Sequence, residues 1–192
     1  MLMMKHLVNK ILLVVLVLSY SLAALAQETI PFVPSPMIVV DRMLELAEVK
    51  KDDIIYDLGS GDGRILIQAA KKYGVRGVGI DMNPKLVEDA TRKAAEEKVS
   101  HLVQFRAADG LTVDISDATV VTLYMFKWFN NQMRPKLQRL KPGSRVVAHD
   151  FGIDEWEANK VENVDPKSDP SGELTHARTL YLWKVGTPAQ VP

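Results

Sequence analysis

Apolar positions along the chain fall into short blocks with two spacings. In MIVVDRMLELAEV, Met37, Val40, Leu44 and Ala47 recur at helical intervals, with Asp41, Arg42, Glu45 and Glu48 opposite. That pattern predicts an amphipathic helix, and Ser35-Pro36 ahead of it offers an N-cap and a first-turn proline. After the charged turn KKDD, the run Ile54–Leu58 predicts a strand that ends at a cluster of glycines. A second helix carries Leu66, Ala69, Ala70 and Tyr73 inward and stops at Gly74. Residues 77–81 predict a second strand, and Asn83-Pro84 opens a helix with Val87, Ala90 and Ala94 on its apolar face. Residues 102–107 predict a third strand. Residues 118–125, unbroken and apolar as a central parallel strand should be, predict a fourth. A helical stretch containing Pro135 runs on to Leu140, and residues 145–151 predict a fifth strand.

The end of the chain changes character. Lys160–Val164 and residues 178–185 read as strands with only a loop, DPKSDPSGELT, between them, so they are expected to pair as an antiparallel hairpin. The alternation before them implies right-handed βαβ units. The expected fold is therefore α/β: a Rossmann-like, mostly parallel seven-stranded sheet with helices on both faces and an antiparallel C-terminal hairpin. That domain occupies residues 37–186, after a Pro-rich linker at 27–36 and before a tail at 187–192.

The first 26 residues form a separate object. Lys5, His6 and Lys10 precede an apolar run from Ile11 to Ala26 that ends in Ala24-Leu25-Ala26, the layout of a secretory signal. The run is shorter than the ~20 residues that span a bilayer comfortably. Two readings follow. Cleavage after Ala26 would make the protein exported or periplasmic. Retention would make it membrane-anchored, with membrane contact through residues 7–26.

Composition then narrows the function classes. Lys+Arg and Asp+Glu are equal at 24 each, so no overall field draws the chain to nucleic acid, and no nucleic-acid partner is expected. The chain has no cysteine, which removes disulfides, thiolate metal sites and cysteine nucleophiles. No metal is expected.

The chemistry concentrates at Tyr56-Asp57-Leu58-Gly59-Ser60-Gly61-Asp62-Gly63-Arg64. Glycines between a strand and a helix let the backbone turn sharply and approach a ligand, and the helix N-terminus behind them offers free N–H groups. Three acids stand in register with this turn. Asp57 lies beneath it, Asp81 ends the second strand where a carboxylate can accept ribose hydroxyls, and Asp109 ends the third, in reach of an adenine amino group. Taken singly, each is equally a capping or turn residue; together they indicate a nucleotide-type ligand. A nicotinamide dinucleotide usually requires a third glycine where Arg64 stands, and its pyrophosphate would be repelled by Asp57. A sulfonium amino-acid nucleoside, positive at that point, fits better.

DLGSGDGRI (Asp57 to Ile65), Asp81-Met82-Asn83-Pro84, Phe32-Val33-Pro34 ahead of a helix ending in MLELA, and a Trp-containing C-terminal part together resemble the class I (seven-β-strand) S-adenosylmethionine-dependent methyltransferases. More narrowly, they resemble the membrane-associated protein-lysine methyltransferases of the ATP synthase c-subunit type and their bacterial relatives. That family often has Glu where Asp81 stands. The resemblance implies S-adenosyl-L-methionine as cofactor, held by Asp57, Gly59, Ser60, Gly61, Gly63, Asp81, Met82 and Asp109. It also implies a protein lysine as acceptor, which in some members belongs to a membrane protein. A small-molecule methyltransferase, and a non-catalytic module that binds a nucleoside, remain the alternatives.

Methyl transfer requires alignment more than acid or base strength. The acceptor is expected over the carboxyl ends of the fourth and fifth strands. Tyr124 is placed there as a lining group, and His149 and Asp150 as residues able to take or relay a proton. Tyr124, Phe126, Trp128 and Phe129 also read as core or cleft wall, His149 equally as a structural histidine, Lys127 as a solvated charge, and Arg64 as packing over the loop or pairing with an acid.

Overall fold

The computed structural model describes residues 32–188. The signal or anchor, the first half of the linker and the end of the tail lie outside the described residues. In chain order the elements are α1 (Met37–Leu46), β1 (Ile54–Leu58), α2 (Arg64–Tyr73), β2 (Arg76–Asp81), α3 (Pro84–Glu96), β3 (Val103–Ala107), β4 (Val120–Leu123), α4 (Lys127–Leu137), β5 (Arg145–His149), β6 (Lys160–Val164) and β7 (Arg178–Lys184). Among the described residues no helix is long and apolar enough to cross a membrane.

All seven strands form one sheet in the order β3-β2-β1-β4-β5-β7-β6. The first five are parallel, while β7 runs antiparallel to both β5 and β6. The expected fold class is therefore the observed one. The terminal hairpin enters the sheet through its second strand, since β7 rather than β6 meets β5. The register explains this. Leu180 and Leu182 bury with α1 and α2, and Trp183 buries on the opposite face, whereas β6 exposes most of its side chains. The more apolar strand takes the interior position.

Alternation in the strands divides the core in two. Ile55, Val120 and Val147 face Val40, Met43 and Leu44 of α1 and Leu66, Ala69 and Ala70 of α2. Leu58, Val121, Leu123, Val146 and Ala148 face Phe129, Met133 and Leu137 of α4. This period of two, covered on both faces, is what a parallel sheet requires.

Local boundaries differ from expectation at several places, β5 among them, which ends at His149 rather than at Phe151. Pro36, not Ser35, occupies the N-cap of α1, and no side chain caps that helix. Met37, expected inward, is exposed. β4 is shorter than the apolar run, because Ala118 closes a turn onto Ile115 and the chain leaves the sheet after Leu123. α4 carries Pro135 in its last turn. The helix persists because Phe129, Met133 and Leu137, spaced one turn apart, bind it to the sheet.

Candidate functional site

Strand order reverses between β1 and β4, and a crevice opens at the carboxyl ends of strands beside such a reversal. The glycine turn sits at that point. Gly59, Gly61 and Gly63 all have left-handed backbones, with φ of 80°, 53° and 79°. At Gly59 a Cβ would collide with the Sδ of Met125. At Gly63 it would lie 2.6 Å from Phe105 Cζ and 2.9 Å from Ala90 Cβ. Glycine is required here by torsion and by space. The N–H groups of Gly59 and Ser60 both donate to the Ile80 carbonyl, at 2.8 and 3.0 Å, which pins the turn to β2. Ser60 is buried and its Oγ has no partner.

The three acids named from sequence lie at or just beyond the carboxyl ends of β1, β2 and β3. Asp57, 2% exposed, accepts a 2.7 Å hydrogen bond from Thr122 Oγ1 through Oδ1, because β1 and β4 place the two residues opposite each other. Its Oδ2 is buried without a partner. Burial raises the carboxyl pKa to about 7; the Thr122 bond opposes the rise, and Asp81 and Asp62 add to it. An orphaned buried carboxylate oxygen of this kind is a receptor for a cation.

Asp81 accepts from Gly61 N at 2.9 Å with Oδ2 and from Asn83 N at 2.9 Å with Oδ1. It thereby ties the glycine turn to the start of α3, and each oxygen keeps a second lone pair. Asp109 accepts from Leu111 N at 2.9 Å with Oδ1, a tight turn, and the neighbouring Ala108 N donates to the Asp81 carbonyl. Met82 is exposed beside them.

Asp62 was not singled out from sequence. It holds Arg64 Nη2 at 2.9 Å and Lys93 Nζ at 2.8 Å. Burial pushes its pKa up, but the hydrogen bonds from Arg64 and Lys93 outweigh that and hold it at about 2. Its only sequence signal was Arg64 two positions later; Lys93, on α3, is brought by the fold. Arg64 Nη1 also donates to the Ser35 carbonyl at 2.8 Å.

The residues expected near the acceptor also come together. His149 ends β5, fully buried, and its ring stacks on Tyr124 with centroids 3.9 Å apart. His149 Nδ1 lies 2.9 Å from Ser35 Oγ, and Nε2 lies 3.5 Å from Asp150 Oδ2 without a hydrogen bond. Burial lowers the imidazole pKa to about 4, against the pull of Asp150. Asp150, with a left-handed backbone at φ 60°, accepts from Arg178 Nη1 at 2.7 Å and from Thr179 N at 3.0 Å. Tyr124 is half-buried, and burial raises its phenol pKa. Its hydroxyl bonds to no described residue. Phe151 and Phe126 extend the aromatic wall beside it, 5.8 Å apart. Phe129 is core, while Trp128 is exposed and Lys127 pairs with Asp154 at 2.7 Å.

Two shallow crevices lie elsewhere. One is lined by Gln138, Trp156 and residues 185–188, the other by Arg42, Glu48, Lys160 and Lys184 among others. The first sits where β7 runs out beside the start of β5, at the end of the sheet opposite the glycine turn. The second lies between α1 and the β6–β7 hairpin, and neither contains a candidate residue.

Comparison with known proteins agrees with this geometry. A family model of the ANTKMT methyltransferase domain matches residues 57–160, beginning at the β1 aspartate. A protein-lysine N-methyltransferase of Saccharolobus islandicus is 42% identical over 159 residues, covering 82% of this chain and 94% of that protein. The ATP synthase c-subunit lysine N-methyltransferase of Xenopus laevis is 34% identical over 145 residues; the match takes in 74% of this chain but only 63% of that relative. The crystal structure of an RNA methyltransferase from Salinibacter ruber in complex with S-adenosyl-L-homocysteine is 46% identical, with a TM-score of 0.71, and covers 83% of this chain and 97% of that one. The chain thus belongs to the ANTKMT methyltransferase-domain family and is a class I S-adenosylmethionine-dependent methyltransferase.

Proposed function

We propose that this methyltransferase modifies lysine side chains of proteins, and that it acts at a membrane through residues 7–26, or beyond one if the chain is cut after Ala26. The observation that carries the acceptor class is the likeness to the Saccharolobus islandicus protein-lysine N-methyltransferase over nearly its whole length. The neutral, aromatic wall around Tyr124 supports it, because an amine must be free base to attack.

The residues present fit the cofactor. Asp57 Oδ2, buried and unpartnered, would take its ammonium group. Asp81 would accept the ribose hydroxyls with its remaining lone pairs, Asp109 and Met82 would border the adenine, and the left-handed turn at Gly59, Gly61 and Gly63 would bring the backbone to the ligand. Bound S-adenosylmethionine supplies a methyl group made electrophilic by a sulfonium. The protein's part is to present a lone pair to it. A free lysine has a pKa of about 10.4; Tyr124, Phe126 and Phe151 desolvate the amine and so disfavour the ammonium. Tyr124 stays a phenol and offers its oxygen to an amine N–H. Asp150, held by Arg178 and Thr179, would take or relay the released proton.

An RNA acceptor is the second reading, favoured by what the Salinibacter ruber relative is described to be. The equal numbers of acidic and basic residues speak against it. Purified protein with methyl-labelled S-adenosylmethionine would be offered membrane proteins, soluble proteins and RNA from the same cells. Label in methyl-lysine of membrane proteins is the expected result. Label in RNA alone would overturn the proposal.

A further inference from the structure

Ser35 stands at the entrance to α1, where a serine ordinarily caps the helix, yet it caps nothing. The side chain turns to His149, 114 positions away, with both residues buried. A serine hydroxyl has one proton to give, and Oγ bonds to no other described group. The imidazole it meets is neutral, because burial disfavours the charged ring. A neutral ring carries its hydrogen on one nitrogen only. Were it on Nδ1, the Nε2 lone pair would face the Asp150 carboxylate 3.5 Å away in a buried setting, which is repulsive. With the hydrogen on Nε2 the same contact is attractive, and Nδ1 then needs a donor, which is Ser35.

We propose that Ser35 is a positioning residue of the acceptor site: its hydroxyl donates to His149 Nδ1, locks the Nε2–H tautomer, and so fixes the ring on which Tyr124 stacks. His149 has no exposed surface, so its part too is to hold Tyr124 rather than to touch the acceptor. Ser35 bonds one edge of the ring, and Asp150, held by Arg178 and Thr179, lies 3.5 Å from the other. The Ser35 carbonyl meanwhile accepts from Arg64, the first residue of α2 behind the glycine turn. One residue thus fixes the acceptor wall relative to the cofactor turn. The inference rests on the reading of Tyr124 as the group that meets the acceptor.

The test uses Ser35→Ala, Ser35→Thr and Tyr124→Phe in the full chain. Imidazole ¹H–¹⁵N correlation spectra should show His149 of the parent with its hydrogen on Nε2, a mixture of tautomers in Ser35→Ala, and the parent pattern in Ser35→Thr. Turnover into membrane proteins should fall ~10-fold in Ser35→Ala, as for loss of one oriented hydrogen bond. It should recover in Ser35→Thr, with affinity for S-adenosylhomocysteine unchanged in both. A hydrogen on Nδ1 in the parent, or Ser35→Ala with parental turnover, overturns the proposal. If Tyr124→Phe slows turnover and Ser35→Ala does not, only the role of Ser35 falls. If Tyr124→Phe is itself silent, the reading of Tyr124 falls and this proposal goes with it.

Discussion

Asp57 should make the cofactor-free protein less stable as pH rises, and Asp57→Asn should remove that dependence. Burial raises this carboxyl from an ordinary 3.8 to about 7. Between those values the folded protein keeps a proton that the unfolded chain has lost, so stability falls as pH increases and levels off above about pH 7. At about 1.4 kcal/mol per pH unit the whole interval is worth roughly 4 kcal/mol, and the part crossed between pH 5 and pH 8 roughly 2 to 3. In the asparagine variant Oδ1 can still accept from Thr122. Its unpartnered amide costs about 1–3 kcal/mol, but equally at every pH. The observable is therefore the difference in urea-unfolding free energy between variant and parent. It should move in the variant's favour by roughly 2 to 3 kcal/mol from pH 5 to pH 8, with the other carboxyl groups cancelling. Calorimetry should show the opposite for function. The variant should lose on the order of 100-fold in affinity for S-adenosylmethionine at pH 8, and the parent's own affinity should weaken about 10-fold per unit as pH falls below 7. Parallel pH profiles, drifting apart by less than about 0.5 kcal/mol, would show that Asp57 is already ionised in the folded protein and would refute the argument.

Other perturbations separate cofactor turn, scaffold and acceptor wall. Asp81→Ala removes the acceptor of Gly61 N and Asn83 N together; calorimetry should show S-adenosylhomocysteine binding weakened on the order of 100-fold, and unchanged affinity would exclude Asp81 from the site. Gly63→Ala forces an alanine into a left-handed backbone against Phe105 and Ala90 and should cost about 2 to 4 kcal/mol in denaturant unfolding. Arg145→Ala takes from Asp53, buried and gripped at 2.5 and 3.0 Å, its cationic partner and leaves only Lys50 N and Thr119 Oγ1 donating to it; a loss of about 3 kcal/mol is expected, with turnover per folded molecule preserved.

The sequence carried the architecture because its signals were local. β1 and β6 emerge with the expected bounds, since each apolar run is framed by turns. Asn83-Pro84 caps α3, with Asn83 accepting from Lys85 N as its residue type suggests. The glycine turn was legible because torsion and spacing are both written in five consecutive residues. What was illegible depends on partners chosen by the fold. Thr122 became the partner of Asp57 through strand register, and Lys93 reached Asp62 from another helix. Arg178 reached Asp150 only because β7, not β6, pairs with β5. Ser35 departs from expectation for the same reason: a local rule for helix starts lost to a buried ring 114 residues away. The apolar run around β4 misled in length, since hydrophobicity marks burial and not hydrogen bonding between strands.

The position of β7 has a consequence for how the molecule is made. The residues proposed to hold the cofactor, from Asp57 to Asp109, all precede β4, whose Thr122 completes the surroundings of Asp57. The groups that steady Asp150, Arg178 and Thr179, arrive on β7, the last of these seven strands to be synthesised. A nascent chain can therefore assemble the proposed nucleoside side once β4 has emerged, while the proposed acceptor side waits for β7.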